Sequence, residues 1–331
     1  MRTPLLFRKS YNKLSRKERK LLEEGIPYVK EFVKKSKSIS KVPYATRDAH
    51  AKSYAYLKGR FVPEPNSVFH HLFDQNSYEA LARFSHAHLK IIKTDKQLPI
   101  YGLAVKMKSK SLDEINYPMV NFPVFITDSV SNFLKLFNDI NQYFSRIGIR
   151  KIASLFRLFF RSFPIMAEIM NSSFFKAIQI WFKTFSNFIL DRNYHSIGAY
   201  RMDNCMVKLT LQPIELEFNS DKTKSIYENI ESFLLKKPIR YQLIAQIAYD
   251  EKIQPINKLT QDWTNTEDVL IGEFQFDEIH NSSDQKLEEI SFNPFDNPEL
   301  FKPVGKIQAI REEIYKASIE TRNELNKNLN L

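Results

Sequence analysis

Apolar residues along the chain follow both the helical and the strand period. Residues 10–38 place leucines and a valine at helical spacing among charges, which predicts a helix that Gly25 and Pro27 break into two pieces. Further helices are predicted over 129–144, 149–190 and 306–326. Alternating, β-branched or aromatic runs predict strands at 51–61, 82–92, 102–107, 120–126, 205–211, 241–249 and 269–276. Strands flanked by helices without strict alternation predict an α+β fold with an antiparallel sheet or barrel.

The segment 149–190 carries an unusually continuous apolar stripe. Ile152, Leu155, Phe156, Phe159 and Phe163 follow one another at helical spacing, whereas arginines and lysines lie off the stripe. One interpretation is a helix packed on the protein's own core. The alternative is an interfacial helix that rests on lipid, because aromatic and basic residues together suit the headgroup region.

Charge is concentrated in two parts of the chain. The 49 basic and 38 acidic residues give a net charge of +11. Residues 1–41 hold 13 basic and 4 acidic side chains, and residues 143–192 hold 8 and 2. Such surfaces can meet nucleic acid, anionic lipid or an acidic partner. Neither a signal-peptide core nor an uncharged run long enough to span a bilayer occurs, so we expect no integral membrane protein. A single cysteine indicates no need of an oxidising compartment, so we expect a cytoplasmic protein, with contact at a membrane surface left open.

Two scarce residue types exclude several classes of site. The seven glycines are scattered, which excludes the Rossmann fingerprint and the Walker loop. The single cysteine, Cys205, excludes an intrachain disulfide and a four-cysteine zinc site.

The predicted last helix carries a compact set of polar residues. At about 100° per residue, Arg311, Tyr315 and Arg322 share one face, which also carries Ser318. Neighbouring cations favour a phenolate, and tyrosine is a known axial ligand of haem iron. The plainer interpretation is a surface helix whose tyrosine packs between two arginine stems.

Four other segments accompany Arg311-x-x-x-Tyr315 and the arginine seven residues beyond it. They are Arg47-Asp-Ala-His50-Ala-Lys, Ala82-Arg83-Phe-Ser85, Gly102-Leu-Ala-Val-Lys106 and Val120-Asn121-Phe-Pro123-Val-Phe125. In content and order these segments resemble the haem catalase superfamily over residues 43–137 and 238–325. The chain is shorter than ordinary catalases and is similar to compact bacterial catalase-related proteins and to catalase-related allene oxide synthases.

The resemblance implies an antiparallel β-barrel wrapped by helices, with haem b beside the barrel. Residues 1–41 would form a basic helical arm, and 42–331 a single haem domain with a helical insertion at 143–192. The implied catalytic residues are the distal His50 and Asn121. Tyr315 would be the proximal ligand of the haem iron, supported by Arg311. Ser85 would orient His50, and Phe133 would stack on the porphyrin. The haem propionates would be contacted by three arginines, Arg47, Arg83 and Arg322.

These residue types suit peroxide chemistry. A neutral imidazole can take a proton from one peroxide oxygen and return it to the other, and an amide N–H can stabilise charge as the O–O bond breaks. Ala49 stands where ordinary catalases carry Val and the allene oxide synthases Thr, which predicts a roomier pocket.

Three functions remain open at this point. The first is a haem oxidoreductase acting on hydrogen peroxide. The second is an isomerase, dehydratase or peroxidase acting on organic or fatty-acid hydroperoxides. The third is a non-enzymatic lipid- or haem-binding protein. We expect a small peroxide or lipid hydroperoxide as substrate and no nucleic acid; peripheral membrane contact through 143–192 or the basic arm, and a homo-oligomer, stay open.

Overall fold

The computed structural model describes residues 2–95, 97–108, 114–170, 174–184, 187–214, 220–281 and 285–327. Within these residues the strands are β1 (Lys52–Pro63), β2 (Tyr78–His86), β3 (Tyr101–Lys108), β4 (Ile115–Val120), β5 (Tyr194–His195), β6 (Ala199–Met202), β7 (Cys205–Pro213), β8 (Ile239–Ile247), β9 (Glu267–Asn281) and β10 (Pro303–Val304). The α-helices are α1 (Arg16–Ser40), α2 (Val130–Ser145), α3 (Gly148–Met170), α4 (Phe174–Lys183), α5 (Ile226–Leu234), α6 (Gln285–Glu289) and α7 (Lys306–Asn326).

Eight strands close into an antiparallel barrel. Their order is β7-β5-β4-β3-β2-β1-β9-β8, and a β7–β8 pairing completes the ring. The short strands β6 and β10 extend the sheet beyond β7. The α+β class with an antiparallel barrel wrapped by helices, predicted above, is therefore confirmed.

The barrel interior is the main hydrophobic core. On β8 the buried residues alternate with half-buried ones, as a strand with one face on a core requires. The buried set on this strand is Ile239, Tyr241, Leu243, Ala245 and Ile247. Large aromatic side chains from β1, β2 and β9, such as Phe61, Phe84 and Phe274, fill the same space.

Helix α1 is unbroken, so the predicted break at Gly25 and Pro27 is wrong. A capping box at Ser15 starts the helix. Gly25 lies directly against Asn138 of α2, where an added Cβ would come within 2.3 Å of the Asn138 side-chain oxygen. Packing on α2 and α7 thus holds the helix together across the proline, and the basic N-terminal segment lies against the body of the protein.

Two predicted strands have different bounds. The run 120–126 is a strand only at its first residue, because the Asn121 side chain accepts the Tyr101 N–H at 2.9 Å and the chain leaves the sheet before Pro123. The strand predicted at 82–92 lies at Tyr78–His86 instead. The helical segment predicted at 149–190 becomes α3 and α4, and its residues 171–173 and 185–186 lie outside the described residues.

Across the described ranges, we find no helix with the length and apolarity that crossing a bilayer demands.

Candidate functional site

A cavity of about 240 Å³, called the main cavity below, lies outside the barrel. Its walls come from the outer face of β2–β4, from α2, from α7 and from the loop that precedes β1. The strand side of the cavity consists of residues that pair with one another across β2, β3 and β4, in two rows. These rows are Ser85–Gly102–Val120 and Arg83–Ala104–Pro118. The central strand contributes only Gly102 and Ala104 to this low strand wall, so little side-chain volume projects into the cavity. The wall therefore leaves room for a flat ligand.

His50 lies at the edge of that wall. Its Nδ1 is 3.1 Å from the Ser85 hydroxyl oxygen, and that hydroxyl is 3.4 Å from the Gly102 carbonyl oxygen. We assign the Ser85 hydroxyl as donor to Gly102 and the His50 Nδ1–H as donor to Ser85, which leaves Nε2 as a free base. Burial, and next the charge of Arg83, lower the pKa of His50 to about 3. The imidazole is therefore neutral at physiological pH.

The His50 backbone is strained. Its φ of 51° lies in the left-handed region, which costs a residue other than glycine about 1–3 kcal/mol. Arg83 compensates by donating a hydrogen bond to the His50 carbonyl oxygen at 2.6 Å. Strain of this kind is typical of residues whose position is imposed by a site.

Gly102 makes room for the imidazole. A Cβ at this position would lie 2.6 Å from Nδ1 and Cε1 of His50. We expect Gly102→Ala to lower the free energy of unfolding by about 1–3 kcal/mol and to displace the His50 ring. Chemical denaturation and the NMR shifts of the imidazole measure the two effects. Ser85→Ala, which removes the hydrogen bond without steric pressure, is the control; equal ring positions in Gly102→Ala and the wild type would contradict the assignment.

Tyr315 enters the main cavity from α7. Arg311, one helical turn earlier, donates to the Tyr315 hydroxyl at 3.1 Å. Arg311 also donates to Gln308 at 2.7 Å, and Gln308 in turn donates to the Ile197 carbonyl oxygen at 2.7 Å. Burial works against ionisation of Arg311, but the neighbouring Tyr315 and Tyr200 outweigh it and raise its pKa. A fixed guanidinium thus lies beside the phenol and donates to its oxygen.

Helix α7 also holds the loop that carries His50. Ser318, three residues after Tyr315, donates to the Asp48 carboxylate at 2.7 Å. About two turns further along, Asn326 accepts the Ala45 N–H at 2.9 Å. The helix that presents the phenol and the loop that presents the imidazole are therefore joined directly.

Three arginines and one carboxylate form a cluster at one end of the main cavity. Arg47 forms an ion pair with Glu288 and donates to the Ile290 carbonyl oxygen at 2.6 Å. Arg83 donates to the Ser53 hydroxyl at 2.8 Å, and Ser53 donates to Glu288. Burial, and next the charge of Arg47, lower the pKa of Arg322 to about 9.

The charges of this arginine cluster do not cancel. Three guanidiniums, those of Arg47, Arg83 and Arg322, face the carboxylate of Glu288, and Arg322 also lies near the buried carboxylate of Asp48. The net charge is +1 even when both carboxylates are ionised. The Nε of Arg322 is buried and has no hydrogen-bond partner within the part of the chain that the structure describes. An open buried donor in a positive cluster suits an anionic ligand.

Glu288 is the internal counterion of the cluster. Burial raises its pKa, but Arg47 and Arg83 outweigh burial and hold that pKa below the ordinary 4.5. The ionised carboxylate therefore stabilises the fold above about pH 4.5, and this contribution is lost as the pH falls through the folded-state pKa.

Glu288→Gln removes the carboxylate that pairs with Arg47 and neutralises part of the charge of Arg83. We expect it to destabilise the protein by about 3–5 kcal/mol at neutral pH, with the difference from the wild type narrowing in acid. Denaturation curves at several pH values measure this. Glu299→Gln is the matched control, because the Glu299 side chain is 72% exposed and its ion pair contributes at most about 1 kcal/mol. A Glu288→Gln effect as small as that control would contradict the proposed counterion.

Phe133 and two further phenyl rings form the apolar side of the main cavity. Phe133 and Phe137 of α2 are stacked, with ring centroids 5.7 Å apart, and Phe125 lies 5.1 Å from Phe133. The three rings offer a stacking surface for an apolar or aromatic ligand.

Asn121 does not line the main cavity. Its side chain donates to the Pro99 carbonyl oxygen at 2.8 Å and accepts the Tyr101 N–H, so its amide is committed to the backbone. It borders a second cavity, of about 180 Å³, together with Asp191 and His195. The residue beside Gly102 on the wall of the main cavity is Val120. The structure thus brings together the predicted His50, Ser85, Tyr315, Arg311, Phe133 and the three arginines, without Asn121.

Sequence reasoning assigned no role to several residues of this site. Asp48 and Gly102 lie inside two of the segments that resemble the catalase superfamily, so the sequence indicated that they lie near the site but not what they do there. Gln308 lies one turn before Arg311, and this spacing was the available signal. Glu288 had no such signal, because its partner Arg47 is 241 residues away.

Comparison with known proteins shows the fold. No family model matches the chain, and no curated protein matches its sequence. A fungal catalase superposes with a TM-score of 0.61 at 15% identity, over 86% of this chain and 59% of that chain. Catalase A of Saccharomyces cerevisiae superposes with a TM-score of 0.65 at 14% identity, over 87% of this chain and 63% of that chain. A bacterial catalase superposes with a TM-score of 0.63 at 13% identity, over 89% of this chain and 60% of that chain.

The protein therefore has a catalase-like fold, and the predicted resemblance is confirmed at that level. The chain spans about three-fifths of the length of these catalases.

Proposed function

We propose that the main cavity binds haem b and that the protein is a haem-dependent oxidoreductase acting on hydroperoxides. The observation that carries this proposal is that two paired groups, Tyr315 with Arg311 and His50 with Ser85, line one cavity. Tyr315 would ligate the iron on one side, and His50 would act on the substrate. Bound haem would supply the iron that exchanges electrons with the peroxide.

The arginine cluster supports the choice of cofactor. Its guanidiniums outnumber the neighbouring carboxylates, which suits the anionic propionates of haem b, and the open Nε of Arg322 offers a donor to one of them. The low strand wall at Gly102 and Ala104 and the phenyl ring of Phe133 suit a flat macrocycle.

His50 would move the proton. Its free Nε2 can accept a proton from one peroxide oxygen and return it to the leaving oxygen. A pKa of about 3 is low for a general base, and part of that lowering comes from Arg83, Arg311 and Arg47. Propionates beside Arg47 and Arg83 would neutralise charge, so the pKa of His50 would rise toward the range in which such catalysis is efficient.

The lining beside His50 favours an organic hydroperoxide over hydrogen peroxide. Val120 lines the main cavity, whereas the amide of Asn121 that the resemblance implied does not, and Phe125, Phe133 and Phe137 add apolar surface. A substrate with a hydrocarbon chain can bury that chain against this surface, whereas hydrogen peroxide cannot. We therefore propose organic or fatty-acid hydroperoxides as the preferred substrates, with hydrogen peroxide as the alternative.

The test compares the two substrates on haem-loaded protein. We expect kcat/KM for a fatty-acid hydroperoxide to exceed that for hydrogen peroxide, measured by loss of each peroxide. Turnover of hydrogen peroxide alone would contradict the substrate preference. Turnover of neither would support the third candidate, a non-enzymatic haem- or lipid-binding protein.

Val120→Asn tests the role of the missing amide. We expect hydrogen-peroxide turnover to rise by about tenfold or more, since one well-placed donor can contribute about 10²–10³ in kcat. Val120→Leu, which keeps the position apolar, is the control and should not raise this turnover. A Val120→Asn rate equal to the control rate would contradict the proposed placement of Val120 beside the reacting oxygens.

A further inference from the structure

Helix α3 packs with its polar side toward the protein. Arg157 and Arg161 donate to the fully buried Asp139 of α2, at 3.2 and 2.8 Å. Further along, Glu168 accepts the Asp128 N–H at 2.6 Å and the Thr127 hydroxyl at 2.5 Å. Charged and polar contacts therefore make up much of the surface through which α3 is attached, and Ile165 is the one large apolar side chain that the described part of the helix buries fully. An ordinary surface helix buries its apolar side instead.

The apolar side of α3 consequently faces outward. The five stripe residues predicted from the sequence are exposed by 49–60%. Of 19 exposed large apolar residues within the described residues, 13 fall between 147 and 182. On α3 and α4 they are Ile149, Ile152, Leu155, Phe156, Phe159, Phe160, Phe163, Met166, Met170, Phe175, Ile180 and Phe182. The interpretation of this stripe as part of the protein's own core is wrong. A patch of this extent marks an interaction surface.

The charges around this α3–α4 surface are of one sign. The two acidic residues of 143–192, Glu168 and Asp191, are not exposed, and Glu168 is bound to the loop after β4. Exposed cations remain at Arg150, Lys176 and Lys183. A second copy of the chain would bring like charges face to face, whereas anionic headgroups complement them.

We propose that α3 and α4 form a docking surface for an anionic lipid membrane. The aromatic side chains would enter the boundary between headgroups and acyl chains, and the lysines and arginines would contact lipid phosphates. The surface is anchored beside the main cavity, because Thr127 and Asp128 follow Phe125 closely and the Phe122 and Phe174 rings lie 5.0 Å apart. This docking would bring a membrane-borne substrate near the cavity, but it depends on no step of the proposed haem chemistry.

Vesicle flotation of the full chain tests this docking surface. We expect binding to vesicles of phosphatidylcholine with phosphatidylglycerol and much weaker binding to phosphatidylcholine alone. The triple variant Phe156→Ser, Phe159→Ser, Phe163→Ser should bind the anionic vesicles at least about 100-fold more weakly. The matched control is Val68→Ser, Leu98→Ser, Leu235→Ser, which removes apolar side chains elsewhere that are at least as exposed, and it should bind like the wild type.

A second variant distinguishes loss of the docking surface from a folding defect in the triple serine variant. Lys176→Glu with Lys183→Glu leaves the aromatic residues intact and should reduce binding to the anionic vesicles by about tenfold or more. The proposal is overturned if the wild type ignores anionic vesicles, binds both compositions equally, or keeps its binding in both variants. It is also overturned if light scattering shows a stable dimer that only the triple serine variant dissociates. Haem binding, read from the visible spectrum, should be the same in all variants, so failure of one proposal is distinct from failure of the other.

Discussion

Tyr315→Phe is expected to abolish tight haem binding. The change removes the phenol oxygen that Arg311 holds at 3.1 Å while leaving the ring and its 5.6 Å contact with Phe295. Loss of an outer-shell partner typically costs about 10–100-fold in metal affinity, and loss of the ligand itself should cost more than about 100-fold. Titration with haemin, followed by the Soret band, measures the affinity. Any haem that the variant still binds should lack absorption from phenolate-to-iron charge transfer.

Tyr200→Phe is the matched control. Tyr200 is also a buried phenol near Arg311, but it does not line the main cavity. Its removal should leave haem affinity within a few-fold of the wild type. Equal affinities of Tyr315→Phe and Tyr200→Phe would contradict ligation by Tyr315.

His50→Gln is expected to reduce peroxide turnover by about 10²–10⁴-fold, the usual contribution of a positioned acid–base group. Glutamine keeps much of the side-chain volume beside Gly102 but cannot shuttle a proton. Because His50 would act on the substrate and not on the cofactor, haem affinity should change little. Steady-state consumption of a fatty-acid hydroperoxide and haemin titration measure the two quantities.

His195→Gln controls for the loss of a buried imidazole. Burial lowers the pKa of His195 to about 4, and the residue borders the second cavity and not the main one. Its substitution should leave turnover within a few-fold of the wild type. A His50→Gln enzyme as active as this control would contradict the acid–base role of His50.

Local patterns predicted much of the fold. The spacing of Arg311, Tyr315 and Arg322 placed them on one helical face, since helical geometry depends only on the separation of residues. Strand existence was likewise predicted for most of the barrel. The break at Gly25 was wrong because a tertiary contact, the close approach of Asn138 to that glycine, overrides local propensity.

The pairing of residues on distant strands could not be predicted from local sequence patterns. The pairing of Gly102 with Val120 decides that Val120 and not Asn121 lines the cavity that holds His50, and no local pattern encodes that pairing. Glu288 was missed for the same reason, since its place among arginines depends on the docking of a distant segment. The outward stripe of α3 was left open because periodicity shows that a helix has two faces, not which face its neighbour takes.

The most direct test of haem binding between Tyr315 and His50 is a titration of the wild-type protein with haemin, followed by visible absorption and magnetic circular dichroism. We predict saturation at one haem per chain, with the spectrum of ferric iron bound to a phenolate. A titration that never saturates, or a saturated complex with the spectrum of an imidazole or thiolate ligand, would contradict the proposal that Tyr315 ligates haem iron.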